Sequence, residues 1–355
     1  MGRHAGGLPA LPDGSVLAAA RPVGGDRRGD PGRGPAGRGR GRGVRSEEGP
    51  VSGAALRVSE LEVRYPGGGH AVRGLDLVVA PGETFALAGE SGCGKTTLAR
   101  AVLGLLPPGA RCSGSIRVGG VEVVGASRRT LRSMRGIDVG YVPQDPVTAF
   151  DPLRRVGHHV AQAWRAHRRT PPPGAVAGLV AEMGIPEAAS RLRERPHQWS
   201  GGMLQRAAIA AAVAHRPGLV VADEPTSALD ADLAGSVLAT LRAASRSLLL
   251  ISHDLALIAE HADRVGVLYG GRLVEVGDAA EVLAAPRHPY TAALVSSVPK
   301  PGAGLPKPLP GRPPAPAEAV AGCAFVTRCA LAKERCAAEP PPTRDGVACW
   351  VVGHG

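Results

Sequence analysis

The Gly-rich stretch GESGCGKTT at residues 89–97 has the residue types and the spacing of a phosphate-binding loop. It fits the pattern G-x-x-x-x-G-K-[ST], in which glycines let backbone N–H groups point inward at phosphate oxygens. Lys95 can reach the β- and γ-phosphates of a nucleotide, and the Thr96 hydroxyl can bind Mg²⁺. The alternative is a Gly-rich turn with an exposed lysine. An apolar run before the loop and a helical pattern after it favour the nucleotide site, because the helix N-terminus attracts anions.

Two carboxylates follow a second apolar run in LVVADEP, residues 219–225. Ligands of α/β sheets bind beyond the C-terminal ends of the strands, so Asp223 is placed to hold Mg²⁺ through water. Glu224 lies one residue further and can polarise a water as a general base. The alternative is an acidic helix cap, which would fit a lone Asp better than this pair.

A third stretch, WSGGMLQR at residues 199–206, predicts the start of a long helix. Ser200 is a plausible N-cap, and two glycines follow it. The exposed N–H groups of such a helix start form a second anion site, which need not serve the same nucleotide as the first. Alone, Ser-Gly-Gly is also a common loop sequence.

The elements around these motifs predict an α/β fold. Short apolar runs at 84–89, 218–225 and 247–254 are typical of buried parallel strands, and a helical pattern at 227–245 joins two of them. The run ALRVSELEVRY (55–65) alternates as an amphipathic strand does, with a slip after Val58. It indicates an N-terminal antiparallel β region.

The composition divides the chain into three parts. Residues 1–54 are Arg- and Gly-rich, with too little apolar surface to fold, and are predicted to be a disordered leader. Residues 55–298 form the predicted nucleotide-binding domain, with a helical subdomain at about 145–210 that includes the break PPPG. Residues 299–355 are predicted to be a Pro-rich linker followed by a Cys-rich extension.

Charge and hydropathy limit the classes of partner. Hydrophobic residues make up 44% of the 355, which is enough for a sizeable core. No apolar run reaches the roughly 18 residues of a membrane-spanning helix, so the chain is expected in the cytosol. A formal net charge of +11 favours anionic partners. The Arg-Gly leader could bind RNA, or it could be inert.

Together these motifs resemble those of the ATP-binding-cassette (ABC) ATPases, in family order from residue 55 to about 298. Lys95 and Thr96 match the Walker A motif. Asp223 and Glu224 match Walker B and its catalytic glutamate. WSGGMLQR matches the signature motif.

Four shorter matches complete the resemblance. Gln144 in VPQDP matches the Q-loop, Asp230 in SALD the D-loop, and His253 in ISHD the switch histidine. Trp199 stands where the signature motif more often has Leu or Phe. Tyr65 stands where the family stacks an aromatic ring on adenine, although it could also be a plain tyrosine at a strand edge.

The resemblance assigns roles to these positions. It implies catalysis by Glu224, His253 and Gln144. It implies Mg²⁺ binding by Thr96, Gln144 and Asp223. The residues that it places around ATP are Tyr65, Gly89, Ser91, Gly92, Gly94, Lys95, Thr96, Thr97, Ser200, Gly201, Gly202, Asp223 and Asp230.

The resemblance also implies a mechanism and partners. Two such subunits are expected to hold two ATP molecules head to tail, so that Ser200 and Gly202 act on the ATP of the other subunit. The second ATPase is expected to be a non-identical homologue. Two membrane permeases and an external binding protein would complete an importer, with this chain at the cytoplasmic face of the cell membrane. A soluble ABC ATPase acting on nucleic acid or ribosomes is the less favoured alternative.

Two segments resemble one branch of the family. QDPVTAFDPLRRVG (144–157) is similar to the stretch after the Q-loop in peptide and nickel importers, and RHPYTAALVSSVP (287–299) is similar to their His-Pro-Tyr-Thr segment. The second could alternatively be an ordinary helix start after Pro289. Peptide is favoured over nickel or another small solute because of the cysteine tail.

Four of the six cysteines lie in the last 33 residues: Cys323, Cys329, Cys336 and Cys349. Their spacings are x5, x6 and x12, which lack the close C-x₂₋₄-C pair of structural zinc sites. A reducing cytosol weakens a disulfide interpretation. Resemblance to the peptide importers implies a [4Fe–4S] ligand set, for which four thiolates are suited. Zinc, and cysteines without any ligand, stay open as alternatives.

Overall fold

The structure is a computed structural model that describes residues 53–227, 229–298, 309, 311–318 and 320–352. The predicted leader up to residue 52 and the first part of the Pro-rich linker, 299–308, lie outside the described residues. The division of the chain into leader, ATPase domain and extension therefore stays a prediction.

The first sheet is antiparallel and lies at the N-terminal end of the described chain. Its order is β2-β1-β4-β5. The slip in the β1 sequence is a bulge: pairing with both neighbours shifts after Val58 or Ser59, and Glu60 has φ 46°. The Glu60 N–H donates to Asp76 Oδ1 instead, at 2.9 Å. Because of the extra residue, the apolar side chains after the bulge lie on the same face of β1 as those before it, toward the core. The strands of this sheet are β1 (Leu56–Arg64), β2 (His70–Val79), β4 (Arg111–Val118) and β5 (Val121–Glu122).

The second sheet is the centre of an α/β fold, as predicted. Its order is β11-β12-β10-β9-β3-β8-β7-β6, and the pairs from β9 to β6 are parallel. Strands β3, β7 and β8 are buried at every position, because the sheet is covered on both faces. Its strands are β3 (Thr84–Ala88), β6 (Val139–Val142), β7 (Leu219–Asp223), β8 (Leu248–Ile251), β9 (Arg264–Tyr269), β10 (Arg272–Asp278), β11 (Thr343–Arg344) and β12 (Val347–Ala348).

Helices cover this sheet and fill the stretch between β6 and β7. None of the helices in the described ranges is long and apolar enough to cross a membrane. The helices are α1 (Lys95–Val102), α2 (Arg128–Met134), α3 (Pro146–Ala149), α4 (Val156–Arg165), α5 (Ala175–Glu182), α6 (Ala188–Arg191), α7 (Gly201–Val213), α8 (Ala231–Ala244), α9 (Leu255–His261), α10 (Ala279–Ala284), α11 (Pro289–Ser296) and α12 (Glu334–Ala338).

Residues 311–318 and 320–352, together called the C-terminal extension below, pack against the second sheet and its helices. Strand β12 pairs antiparallel with β10 at Glu275 and Val347. Phe325 is 2% exposed and packs edge-to-face on Tyr269, with ring centroids 5.3 Å apart. Apolar side chains of the extension therefore pack into the core formed by β9 and α11. This packing explains how a Pro-rich segment with few apolar residues can be ordered.

Candidate functional site

The phosphate loop joins the end of β3 to the start of α1. Gly89 has φ 148°, and a Cβ there would lie 2.3 Å from the Leu268 carbonyl oxygen. Gly94, the N-cap of α1, has φ 114°, and a Cβ there would lie 2.5 Å from the Ala71 carbonyl oxygen. Both positions need glycine for backbone conformation and for space. The loop is thus held against β9 and β2 from two sides.

Lys95 lies inside this loop, 7% exposed. Its ammonium group donates to the carbonyl oxygens of Gly89, at 2.7 Å, and Glu90, at 3.1 Å. It also donates a longer hydrogen bond to Cys93 Sγ, at 3.9 Å. These neutral acceptors do not cancel the positive charge of the ammonium, which stays available to an anion in the loop. Such a charge suits the β- and γ-phosphates of a nucleotide.

Asp223 ends β7 beneath the start of α1. Thr96 Oγ1 donates to Asp223 Oδ1 at 3.3 Å. Burial raises the pKa of Asp223 and the neighbouring Glu224 charge raises it further, while the Thr96 hydrogen bond opposes them. A hydroxyl and a carboxylate are oxygen ligands of the kind that Mg²⁺ takes alongside phosphate oxygens, so this pair fits an Mg²⁺ that arrives with a nucleotide.

Glu224 and His253 form a pair at the C-terminal edge of the central sheet. Their Nδ1 and Oε2 atoms are 2.6 Å apart. Glu224 has φ 50°, an uncommon conformation for a non-glycine residue, and its N–H donates to the Ile251 carbonyl oxygen at 2.9 Å. The hydrogen bond extends the pairing of β7 with β8 by one residue, and the positive φ turns the chain at Glu224, whose carboxylate contacts His253.

These groups meet around one cavity of about 630 Å³. Predicted site residues on its wall are Tyr65, Gly89, Ser91, Gly92, Gly94, Lys95, Thr96, Thr97, Gln144, Glu224 and His253. Tyr65 OH and Thr97 Oγ1 are 3.0 Å apart, which fixes the ring at the edge of the cavity. Asp223 lies behind Thr96 rather than on the wall.

Besides Asp223, four predicted nucleotide contacts do not line the cavity: Ser200, Gly201, Gly202 and Asp230. Ser200 caps α7 by accepting from the Met203 N–H at 3.3 Å, as predicted. Gly202 has no room for a side chain, because a Cβ would meet Leu233 at 2.4 Å. Asp230 caps α8 by accepting from the Leu233 N–H. These four groups therefore lie outside the cavity that the phosphate loop lines.

Several groups at the cavity were not among the predicted site residues. Glu90, Ala71, Leu294 and Pro316 also lie on the wall. The Glu90 N–H donates to Tyr290 OH at 2.9 Å, so the His-Pro-Tyr-Thr segment supports the phosphate loop. The segment is recognisable in the sequence, but nothing in its local spacing indicates which loop it contacts.

The four tail cysteines share one neighbourhood without forming a metal site. The pKa of the Cys323 thiol is raised to about 11 by burial, and the thiols of Cys336, Cys349 and Cys329 add to this increase. In the part of the chain that the structure describes, no group of three or more His, Cys, Asp or Glu side chains is arranged to hold a metal ion. The donor type suits an iron–sulfur cluster, but the thiols are not placed as a ligand set, so the predicted cluster is not supported.

Comparisons with known proteins agree with this geometry. Residues 72–227 match the family model described as ABC transporter, and residues 274–336 match the one described as oligopeptide/dipeptide transporter, C-terminal region. The dipeptide transport ATP-binding protein DppD of Bacillus subtilis (strain 168) is 39% identical over 77% of this chain and 86% of its own length. The chain belongs to the ABC transporter family. Within it, the second match places it in the oligopeptide/dipeptide branch.

Two further comparisons bear on this ABC ATPase. DppD of Escherichia coli (strain K12) is 37% identical over 81% of this chain and 92% of its own length. The ATP-binding cassette MJ0796, solved as a dimer bound to ADP and Pi, is 21% identical, with a TM-score of 0.56 over 63% of this chain and 98% of that one. The structural likeness shows the fold alone. As a family member with this site, the chain is an ATPase that hydrolyses ATP to drive transport.

Proposed function

We propose that this ABC ATPase is the ATP-hydrolysing subunit of an importer of dipeptides or oligopeptides. The observation that carries the proposal is the cavity in which the phosphate loop, Gln144, Glu224 and His253 meet. The match of residues 274–336 to the oligopeptide/dipeptide transporter region supports the substrate class. So do the two relatives named as dipeptide transport ATP-binding proteins.

In the proposed reaction, the chain positions ATP and activates a water. Lys95 binds the β- and γ-phosphates, and Tyr65 stacks on the adenine. Glu224 takes a proton from the attacking water as general base. His253 and Gln144 contact the γ-phosphate and keep that water in line with it. Thr96 and Asp223, with Gln144, would hold Mg²⁺, which supplies charge neutralisation on the phosphates.

The proposed partner for catalysis is a second ATPase subunit, taken to be a non-identical homologue. Ser200, Gly201, Gly202 and Asp230 lie outside the cavity of their own chain, which supports contacts to the ATP of the other subunit. Ser200 and Gly201 are exposed, so the N–H groups at the start of α7 are accessible to a phosphate. The dimeric cassette with ADP and Pi has the same fold.

Two membrane permeases and an external binding protein are the other proposed partners, with the ATPase bound peripherally at the cytoplasmic face. Among the described residues, the large hydrophobic side chains that stay exposed are Val147 (58%), Leu153 (77%) and Leu331 (50%). Val147 and Leu153 follow Gln144 closely. Their exposure beside the proposed γ-phosphate contact supports a permease docking surface there, since exposed apolar side chains of this size favour burial by a partner.

Co-expression with the permeases tests this function. The wild-type chain is expected in the membrane fraction only when the permeases are present. Leu153→Asp is expected to lower the bound fraction by about tenfold, because it places a charge in an apolar contact. Leu331→Asp, an equally simple change at an exposed leucine of the C-terminal extension, is the matched control and is expected to bind as the wild type does. Membrane binding that does not depend on the permeases would refute the proposal. So would peptide uptake into vesicles that does not depend on ATP.

The proposal that the tail cysteines bind a [4Fe–4S] cluster rests on family resemblance alone, because no group of three or more possible ligands in the described residues is arranged to hold a metal ion. Protein purified without oxygen is expected to be brown, with broad absorption near ~400 nm. Cys329→Ser should remove the colour, whereas Cys112→Ser, in β4, should keep it. A colourless wild-type protein, whether it contains zinc or no metal, would contradict the cluster.

A further inference from the structure

The C-terminal extension contacts the nucleotide cavity near Tyr65. Pro316 lies on the cavity wall, and its carbonyl oxygen accepts from the His70 N–H at 2.6 Å. A side chain at Gly69 would touch both Pro316 and Tyr65. The extension therefore contributes a residue to the wall of the cavity.

A second contact joins the extension to the phosphate loop itself. Arg328 donates from Nη1 to Glu90 Oε2 at 2.8 Å and from Nη2 to Glu90 Oε1 at 3.0 Å. Nη1 also donates to Tyr269 OH at 3.0 Å. The Arg328 side chain is 3% exposed and the Glu90 side chain 24%. A bidentate and largely buried pair of this kind is strong and geometrically specific.

Glu90 is the second residue of the phosphate loop, and it lies on the cavity wall. Its carbonyl oxygen accepts from Lys95, and its N–H donates to Tyr290. A carboxylate at this place would repel a triphosphate if it were unpaired, since like charges at short range and low dielectric interact strongly. The Arg328 guanidinium cancels that charge.

We propose that Arg328 is a positioning residue for ATP, which neutralises Glu90 and thereby lets the C-terminal extension set the affinity of the phosphate loop for ATP. The inference rests on the proposed binding of ATP at this cavity. It adds that the affinity for ATP depends on Arg328, which lies 238 residues after Glu90 in the sequence. Loss or displacement of the extension would expose the Glu90 charge to the nucleotide and weaken binding.

The charge balance predicts an order of affinities for MgATP, measured with the full-length chain. Wild type and the double variant Glu90→Gln/Arg328→Ala both have a neutral pair and should bind alike. Arg328→Ala leaves a negative charge and should raise Kd by about tenfold. Glu90→Gln leaves a positive charge and should lower Kd below the wild-type value. Added salt should bring the four values together, because it screens the charges.

A matched control lies in the same extension. Arg335 is paired with Glu339 and lies over the ring of Trp350, 3.6 Å from its centroid, away from the cavity wall. Arg335→Ala should bind MgATP as the wild type does. Thermal unfolding of each variant would report any loss of folding, and Glu90→Gln tests the charge argument without removing Arg328.

If the Arg328–Glu90 pair only held the phosphate loop in shape, the variants would show a different pattern of affinities for MgATP. Both single variants and the double variant would then bind ATP weakly and alike, which would overturn the inference. So would an Arg328→Ala chain that binds as tightly as the wild type. A wild-type chain that does not bind MgATP would overturn the proposed function, and this inference with it.

Discussion

Replacing Glu224 with Gln is expected to leave ATP binding intact and to lower turnover by at least ~10²-fold. The amide has nearly the same shape as the carboxylate, so the contact with His253, at 2.6 Å between Nδ1 and Oε2 in the wild type, can persist. The amide cannot accept a proton from water, so general-base catalysis is lost. ATP should then accumulate, uncleaved, in the assembled complex.

Phosphate release and retained nucleotide would both be measured on the ATPase assembled with its partner subunits. Glu182→Gln, at an exposed position of α5, is the matched control and should turn over at the wild-type rate. Undiminished turnover of Glu224→Gln would contradict the role given to Glu224 and the mechanism built on it. Loss of ATP binding by the same variant would show that the carboxylate supports the site's shape instead.

Replacing Lys95 with Ala is expected to weaken MgATP binding by roughly 10²-fold or more, since two charge-assisted hydrogen bonds to phosphate would be lost. The ammonium is buried in the loop, so no exposed side chain can replace it. The carbonyl oxygens of Gly89 and Glu90 also lose a donor. The thermal midpoint is therefore measured beside the dissociation constant.

The matched control is Lys333→Ala, which removes an exposed lysine of the C-terminal extension. It should bind MgATP as the wild type does. A folded Lys95→Ala chain with unchanged affinity would mean that the backbone N–H groups and the start of α1 bind the phosphates without the lysine.

Much of the site was predictable because its parts are local in sequence. The phosphate loop needs only a strand, glycines at 89 and 94 and a helix start, and all of them lie within a few residues. The bulge at Glu60 was visible as a slip in the β1 pattern, because alternation reports which face of a strand is buried. Motif order then predicted that Gln144, Glu224 and His253 would meet, and the cavity contains all three.

The placement of the C-terminal extension was not predictable in this way. The sequence indicated a Pro-rich linker and a cysteine tail, whereas the described part of that segment adds β12 to β10 and buries Phe325 against Tyr269. The four cysteines were assigned to a ligand set by resemblance, yet their thiols share a neighbourhood without ligating geometry. Spacing along the chain limits which thiols can approach, but their final distances depend on packing around them.

The amino-acid sequence by itself determined the α/β fold, the phosphate loop and the two carboxylates at the end of β7, because short-range hydrogen bonds and the alternation of apolar residues specify such elements locally. Only the tertiary structure decided that Arg328 contacts Glu90 and that Pro316 joins the nucleotide cavity. These contacts join residues far apart in the chain. They form where buried surfaces pack and opposite charges are desolvated together, which no local pattern encodes.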